Sequence, residues 1–132
     1  MKTAPVLGFL CLILIAVCPE RLAADAQIAD WIGRYNMNHD GWTGTLAILD
    51  SKADCATSAW CQLVVQYTDA QGKRFSGDIV AVDQSQQHMT FYINFANNRQ
   101  KFDGYLFSWD KAKMAGTTYW GNRTFGFFAV KQ

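Results

Sequence analysis

The sequence predicts an all-β protein, a single eight-stranded antiparallel up-and-down barrel. Three observations point there. Aromatic residues make up 14 % of the 132-residue chain, and Phe, Tyr, Trp, Thr and Val favour strands. Beyond position 26 every acidic residue is Asp, so Glu, a preferred helix residue, is missing where the domain must form. Turn signals recur at a nearly constant interval, each combining Asp or Asn with Gly, Ser or Lys, and these residues tolerate or cap tight turns.

The first segment stands apart from the barrel. Lys2 gives a positive start, Val6 to Val17 is apolar apart from one Gly, and Ala24-Asp25-Ala26 supplies an A-x-A cleavage pattern. This is the layout of a secretory signal peptide over 1–26, and the apolar run is short for a membrane span. A lipoprotein anchor on Cys18 is the rival, but the bulky Val17 before it fits that motif poorly. The expectation is a secreted or periplasmic protein, with no membrane association after cleavage and one domain over 27–132.

Within that domain, 25–33 has room for one helical turn. The strands then read in order as Ile32–Asn38, Thr43–Asp50, Cys61–Thr68, Arg74–Asp83, His88–Ala96, Lys101–Asp110, Met114–Trp120 and Thr124–Lys131. Between them lie turns such as Asn38-His39-Asp40-Gly41 and Gly121-Asn122-Arg123, the spacing of consecutive hairpins. No segment repeats apolar residues at i, i+3, i+4 and i+7 over the length a helix needs. Closing eight strands removes the exposed edges of an open sheet and leaves a bore wide enough for side chains or one small ligand.

Lys plus Arg number 12 against 11 acidic residues, a net charge of +1. With no basic stripe and no acidic tail, nothing in the chain favours nucleic acid or an anionic membrane surface as partner. Cys11 and Cys18 fall in the leader, so Cys55 and Cys61 are left to form a local disulfide in an oxidising compartment. A metal site in their place needs more ligands than two Cys and two distant His offer. No metal and no cofactor is expected.

Cut in this way, the chain resembles a calycin, and within that group an avidin. Gly33-Arg34-Tyr35 resembles the G-x-W opening of calycin barrels, with Tyr for Trp. Gly41-Trp42-Thr43-Gly44-Thr45-Leu46 is similar to an avidin turn-and-strand phrase, and Thr90 to Phe95 to its fifth strand, with Phe95 in place of a binding-site Trp. Phe102-Asp103-Gly104 resembles the sixth-strand phrase, and Thr118-Tyr119-Trp120 the seventh, ending in a second binding-site Trp. The resemblance implies a ligand site at the open end of the barrel, from Tyr35, Asn38, Trp42, Phe95, Phe102, Trp120 and Phe128. It also implies that biotin is not the ligand, because Met37 and Phe128 stand where that family has Asn. Each hydrogen bond left unmade to a buried polar ring costs about 1–3 kcal/mol.

In the same register Tyr35, Met37, Phe91, Ile93, Phe95, Phe102, Leu106, Trp120 and Phe128 point inward. Tyr105, Phe107, Trp109, Tyr119, Phe125 and Phe127 then form an outer aromatic face, and a patch of that kind is normally covered by a partner. Avidin-like barrels pair through these later strands, so the resemblance implies a homo-oligomer. A one-residue slip in register exchanges the two faces. The loops at 38–42, 51–60 and 96–100 are expected to meet at the open end. There Trp42, Trp60, Phe95 and Trp120 form walls, and Asn36, Asn38, Asn94 and Asn97 supply polar groups.

Residues for catalysis are scarce. His39 and His88 are the acid–base candidates near neutral pH; His39 sits in an Asn-Met-Asn-His-Asp-Gly turn and is expected to be solvated or bonded within its turn. No nucleophile is tied to either, and no hydrolase, metalloprotease, phosphate-loop or EF-hand motif occurs. Asp78, Asp103 and Asp110 make a poor carboxylate pair, with Asp110 reading as a turn residue. Asn122-Arg123-Thr124 matches an N-glycosylation pattern on a turn. The expectation is a non-enzymatic binder of a small, largely apolar ligand. The alternatives are a protein-interaction or inhibitor module using the aromatic face, or a lectin-like sugar binder.

Overall fold

The structure is a computed structural model that describes residues 26–55, 58 and 60–132. The expected signal peptide therefore lies outside the described residues, except for Ala26. A short helix α1 (Ile28–Trp31) precedes eight strands: β1 (Gly33–His39), β2 (Trp42–Asp50), β3 (Leu63–Asp69), β4 (Arg74–Val82), β5 (His88–Phe95), β6 (Asn98–Leu106), β7 (Lys113–Trp120) and β8 (Arg123–Lys131). Every strand pairs antiparallel with its sequence neighbour, and β1 pairs β8 to close the barrel. All eight expected strands form. The sixth departs from expectation at both ends: it begins at Asn98, because Phe95 and Asn98 already face each other across a two-residue turn, and it stops at Leu106.

An up-and-down meander puts alternate turns at opposite ends. One end carries the turns after β1, β3, β5 and β7; the other carries α1 and the connections after β2, β4 and β6. The Cys55–Cys61 disulfide, with Cα atoms 5.9 Å apart, staples the β2–β3 connection. That connection and Trp60 therefore belong to the α1 end, not to the expected ligand end, and Trp60 packs against the core.

At the α1 end the bore is plugged. The Trp31 ring is fully buried, its Nε1 donates to the Gln86 carbonyl at 2.7 Å, and the Tyr35 hydroxyl donates to the Trp31 carbonyl at 2.7 Å. Lys131 Nζ donates to the Asp30 carbonyl at 2.6 Å, tying the last strand to the helix. Above this plug, Phe91 stacks on Phe102 with centroids 5.1 Å apart, and Phe127 meets Phe102 edge-on at 5.4 Å. The middle of the bore is filled with rings.

The ring from β8 corrects the expected register of that strand. Phe127 is 4 % exposed and inside, whereas Phe128 is 55 % exposed and outside. The pairing of Phe127 with Gly116, itself opposite Gly104, explains the choice. A side chain added at Gly104 would press on the Phe127 ring. Two glycines side by side on the inner wall thus leave space that an aromatic fills, and the alternation of the strand turns Phe128 outward.

Candidate functional site

The opposite end is open, and short turns keep its rim low. Asp40 and Gly41 both hold positive φ, +49° and +82°, as a two-residue primed turn requires. That turn sets His39 directly opposite Trp42 in the β1–β2 ladder. Both residues share the inner face with Tyr35, Met37, Leu46 and Ile48, so the hairpin delivers an imidazole and an indole to the mouth of the bore.

A cup of about 210 Å³ results. Trp42, Phe75, Phe95 and Trp120 form its walls, and His39, Tyr67, Asp69 and Gln100 supply its polar groups. Its surface is otherwise apolar. Phe95 holds the walls together, with ring centroids 5.0 Å from Phe75, 5.7 Å from Tyr67 and 6.1 Å from His39. Phe102 meets the His39 ring edge-on from below at 5.5 Å and separates the cup from the packed centre. A wider crevice of about 550 Å³ lies outside the rim, between Asp40, Trp42 and the β7–β8 turn. It is shallower and lacks the buried polar floor that marks the cup.

That floor holds two hydrogen-bonding systems. His39 is 4 % exposed, and its Nε2 lies 3.2 Å from the Tyr67 hydroxyl. Burial lowers the His39 pKa against the opposing pull of the Asp40 carboxylate, so the ring is neutral at neutral pH. Burial, with the charge of Asp69, pushes the Tyr67 phenol up to about 12. Gln100, 1 % exposed, donates from Nε2 to Thr118 Oγ1 at 2.8 Å, and Thr118 in turn donates to the Lys101 carbonyl at 2.7 Å. His39 Nδ1 and Gln100 Oε1 have no hydrogen-bond partner among the described residues. Both atoms are buried, and an unmade buried hydrogen bond costs about 1–3 kcal/mol.

The structure divides the expected ligand residues. Trp42, Phe95 and Trp120 line the cup. Phe102 lies beneath it, fully buried, and Tyr35 belongs to the plug at the far end. Asn38 and Phe128 face each other on the outer wall, because strand alternation puts them opposite in sense to Met37 and Phe127. Asn36 and Asn94 are also outside, bonded to Gln132 and Asp78. His39, expected to be solvated or bonded within its turn, is instead buried with its Nε2 against the Tyr67 hydroxyl; Tyr67, Asp69, Phe75 and Gln100 were not anticipated. The period-two spacing of Tyr35, Met37 and His39 was the available signal for the imidazole.

Of the residues expected on the outer face, Tyr105, Phe107, Trp109 and Tyr119 are exposed, Trp109 most of all at 88 %. Phe125 instead lines the outer crevice near the rim, and Phe127 is in the core. Phe128 joins the face in its place, sitting across Ala115 from Tyr105. Between Thr90, Lys101 and His88 on the same wall lies Asp103. Burial raises its pKa, but hydrogen bonds from Thr90 at 2.6 Å and Lys101 at 2.9 Å, with the Lys101 and His88 charges, outweigh that and hold it low. The cluster ties β5 to β6.

No group of three His, Cys, Asp or Glu able to hold a metal ion occurs among the described residues. No family model, curated protein or solved structure matches this chain.

Proposed function

We propose that the chain is a non-enzymatic binding protein that takes a small, largely apolar ligand in the cup at the open end of the barrel. One observation carries this reading: an aromatic cup, open at the mouth and walled by Trp42, Phe75, Phe95 and Trp120, has a few polar side chains, His39, Tyr67, Asp69 and Gln100, converging on it. Concave, mostly apolar sites with a few convergent polar groups are the usual form of small-molecule sites. The architecture agrees with the avidin-like resemblance, and biotin is not proposed, since Met37 occupies the bore where that family has Asn. A disulfide and a signal-like leader support a secreted or periplasmic location.

Part of the outer wall is charged, with Arg34, Arg74, Asp78 and Arg99 exposed, so it lacks the continuous apolar outer band of a membrane barrel. A thermal-shift and tryptophan-fluorescence screen of fatty acids, sterols, simple sugars and compact ring compounds tests the reading. Saturable binding that Trp120→Ala abolishes without unfolding the barrel is the expected result. A screen in which no compound shifts melting or fluorescence overturns it.

A second reading concerns the outer wall, where Tyr105, Phe107, Trp109 and Phe128 lie exposed. We infer that this face pairs two copies of the chain. A clean monomer in sedimentation at micromolar concentration overturns it.

A further inference from the structure

The cup has a definite hydrogen-bonding polarity, set by a relay through the barrel wall. The Thr118 hydroxyl has one hydrogen and donates it to the Lys101 carbonyl. Toward Gln100 it can therefore only accept, which makes the amide group 2.8 Å away the nitrogen and leaves the carbonyl oxygen unpartnered. A backbone carbonyl thus dictates that the unpartnered atom of Gln100, a residue of the cup lining, is an acceptor. Whatever satisfies it must bring a donor.

The charge of the lining points the same way. Asp69 is the only fully charged residue on it, and no Lys or Arg lines the cup. Asp69 Oδ1 already accepts from the Gln71 and Lys73 backbone N–H groups in the β3–β4 turn, which holds the carboxylate at the rim. Lys73 and Arg123 line neighbouring crevices instead. The walls present indole and phenyl faces, whose quadrupoles attract a cation. The His39 ring is neutral and so does not oppose one. The volume also limits the choice: a dry cavity of about 150 Å³ holds a benzene ring, so about 210 Å³ suits a body of one or two rings.

We propose that the cup binds a compact, ring-bearing amine, its ring between the tryptophans and its N–H donors toward Gln100 and Asp69. This rests on the ligand-binding reading above and narrows it to one chemical class, excluding carboxylates.

The test uses three probes of one shape, 2-phenylethylamine, 2-phenylethanol and phenylacetate, titrated into the full secreted chain by calorimetry and tryptophan fluorescence. The amine should bind about tenfold more tightly than the alcohol, and phenylacetate should show no saturable binding. Asp69→Asn keeps an oxygen to accept the turn hydrogen bonds. It should weaken the amine about tenfold while leaving the alcohol and the melting temperature unchanged. Gln100→Met should weaken amine and alcohol alike, since both are donors. Phenylacetate or the alcohol binding as tightly as the amine overturns the amine assignment and leaves the ligand cup standing. Silence from all three overturns this proposal, and silence across the wider screen overturns the cup as well.

Discussion

The two ends of the barrel use the same alternation of side chains and finish differently. At the α1 end Trp31 is 0 % exposed, and its indole N–H, the Tyr35 hydroxyl and the Lys131 ammonium all reach backbone carbonyls. At the other end Trp42 and Trp120 are 62 % and 52 % exposed, and below them His39 Nδ1 and Gln100 Oε1 lack partners. The connections explain part of the contrast. The helix and the connections after β2, β4 and β6 lie at one end, whereas three two-residue turns and one of four residues leave the other without a cover. Aromatic residues placed at both ends are therefore not equivalent: one group is buried and hydrogen-bonded, and the other stands half exposed around an open cup.

Substitutions can break that comparison. The largest effect is expected from Trp31→Ala, a loss of about 3–5 kcal/mol in urea denaturation, as for other buried large rings. Phe127→Ala should cost about as much, while Phe128→Ala should stay under about 1 kcal/mol. Equal losses at 127 and 128 would refute the register described for β8. Opening the Cys55–Cys61 bridge by Cys55→Ser should lower stability by about 2 kcal/mol, the closure entropy of so short a loop; comparison of denaturation curves checks it.

Smaller effects sharpen the picture of the mouth. In the unfolded chain His39 titrates near 6.5, and burial lowers its pKa in the barrel. Below about pH 6.5 the unfolded chain therefore takes up a proton that the folded chain refuses. The His39 contribution is complete above that pH and declines as pH falls toward the folded pKa. Denaturation between about pH 5 and 8 should show this slope in the wild type and less of it in His39→Phe. The smallest effect is expected from Trp120→Ala: under about 1 kcal/mol, because the ring is half exposed. A loss matching that of Trp31 would mean that the mouth is core.

Much of the fold was legible because its causes are local. Asp-Gly and Gly-Asn pairs specify tight turns, and runs of Phe, Tyr, Thr and Val specify strands, so the eight-strand meander follows from the order of residues. The site was less legible. Trp42, Phe95 and Trp120 were named through the avidin resemblance, which places them at the open end. Gln100 fell between the expected fifth and sixth strands, and only the early start of β6 at Asn98 brings it onto a wall. Phe127 and Phe128 are adjacent and chemically identical, so composition could not choose between them.

What the sequence by itself determined is a chain of hairpins of the right number and length to close. The tertiary structure alone decided which aromatic of each pair faces inward and which end is plugged. It alone also decided that a threonine, a glutamine and a histidine meet under the open mouth. The physical reason is that turns and strand propensities act over a few neighbouring residues. Space above Gly104, the path of α1 and the polarity passed from Lys101 to Gln100 exist only once distant strands lie side by side.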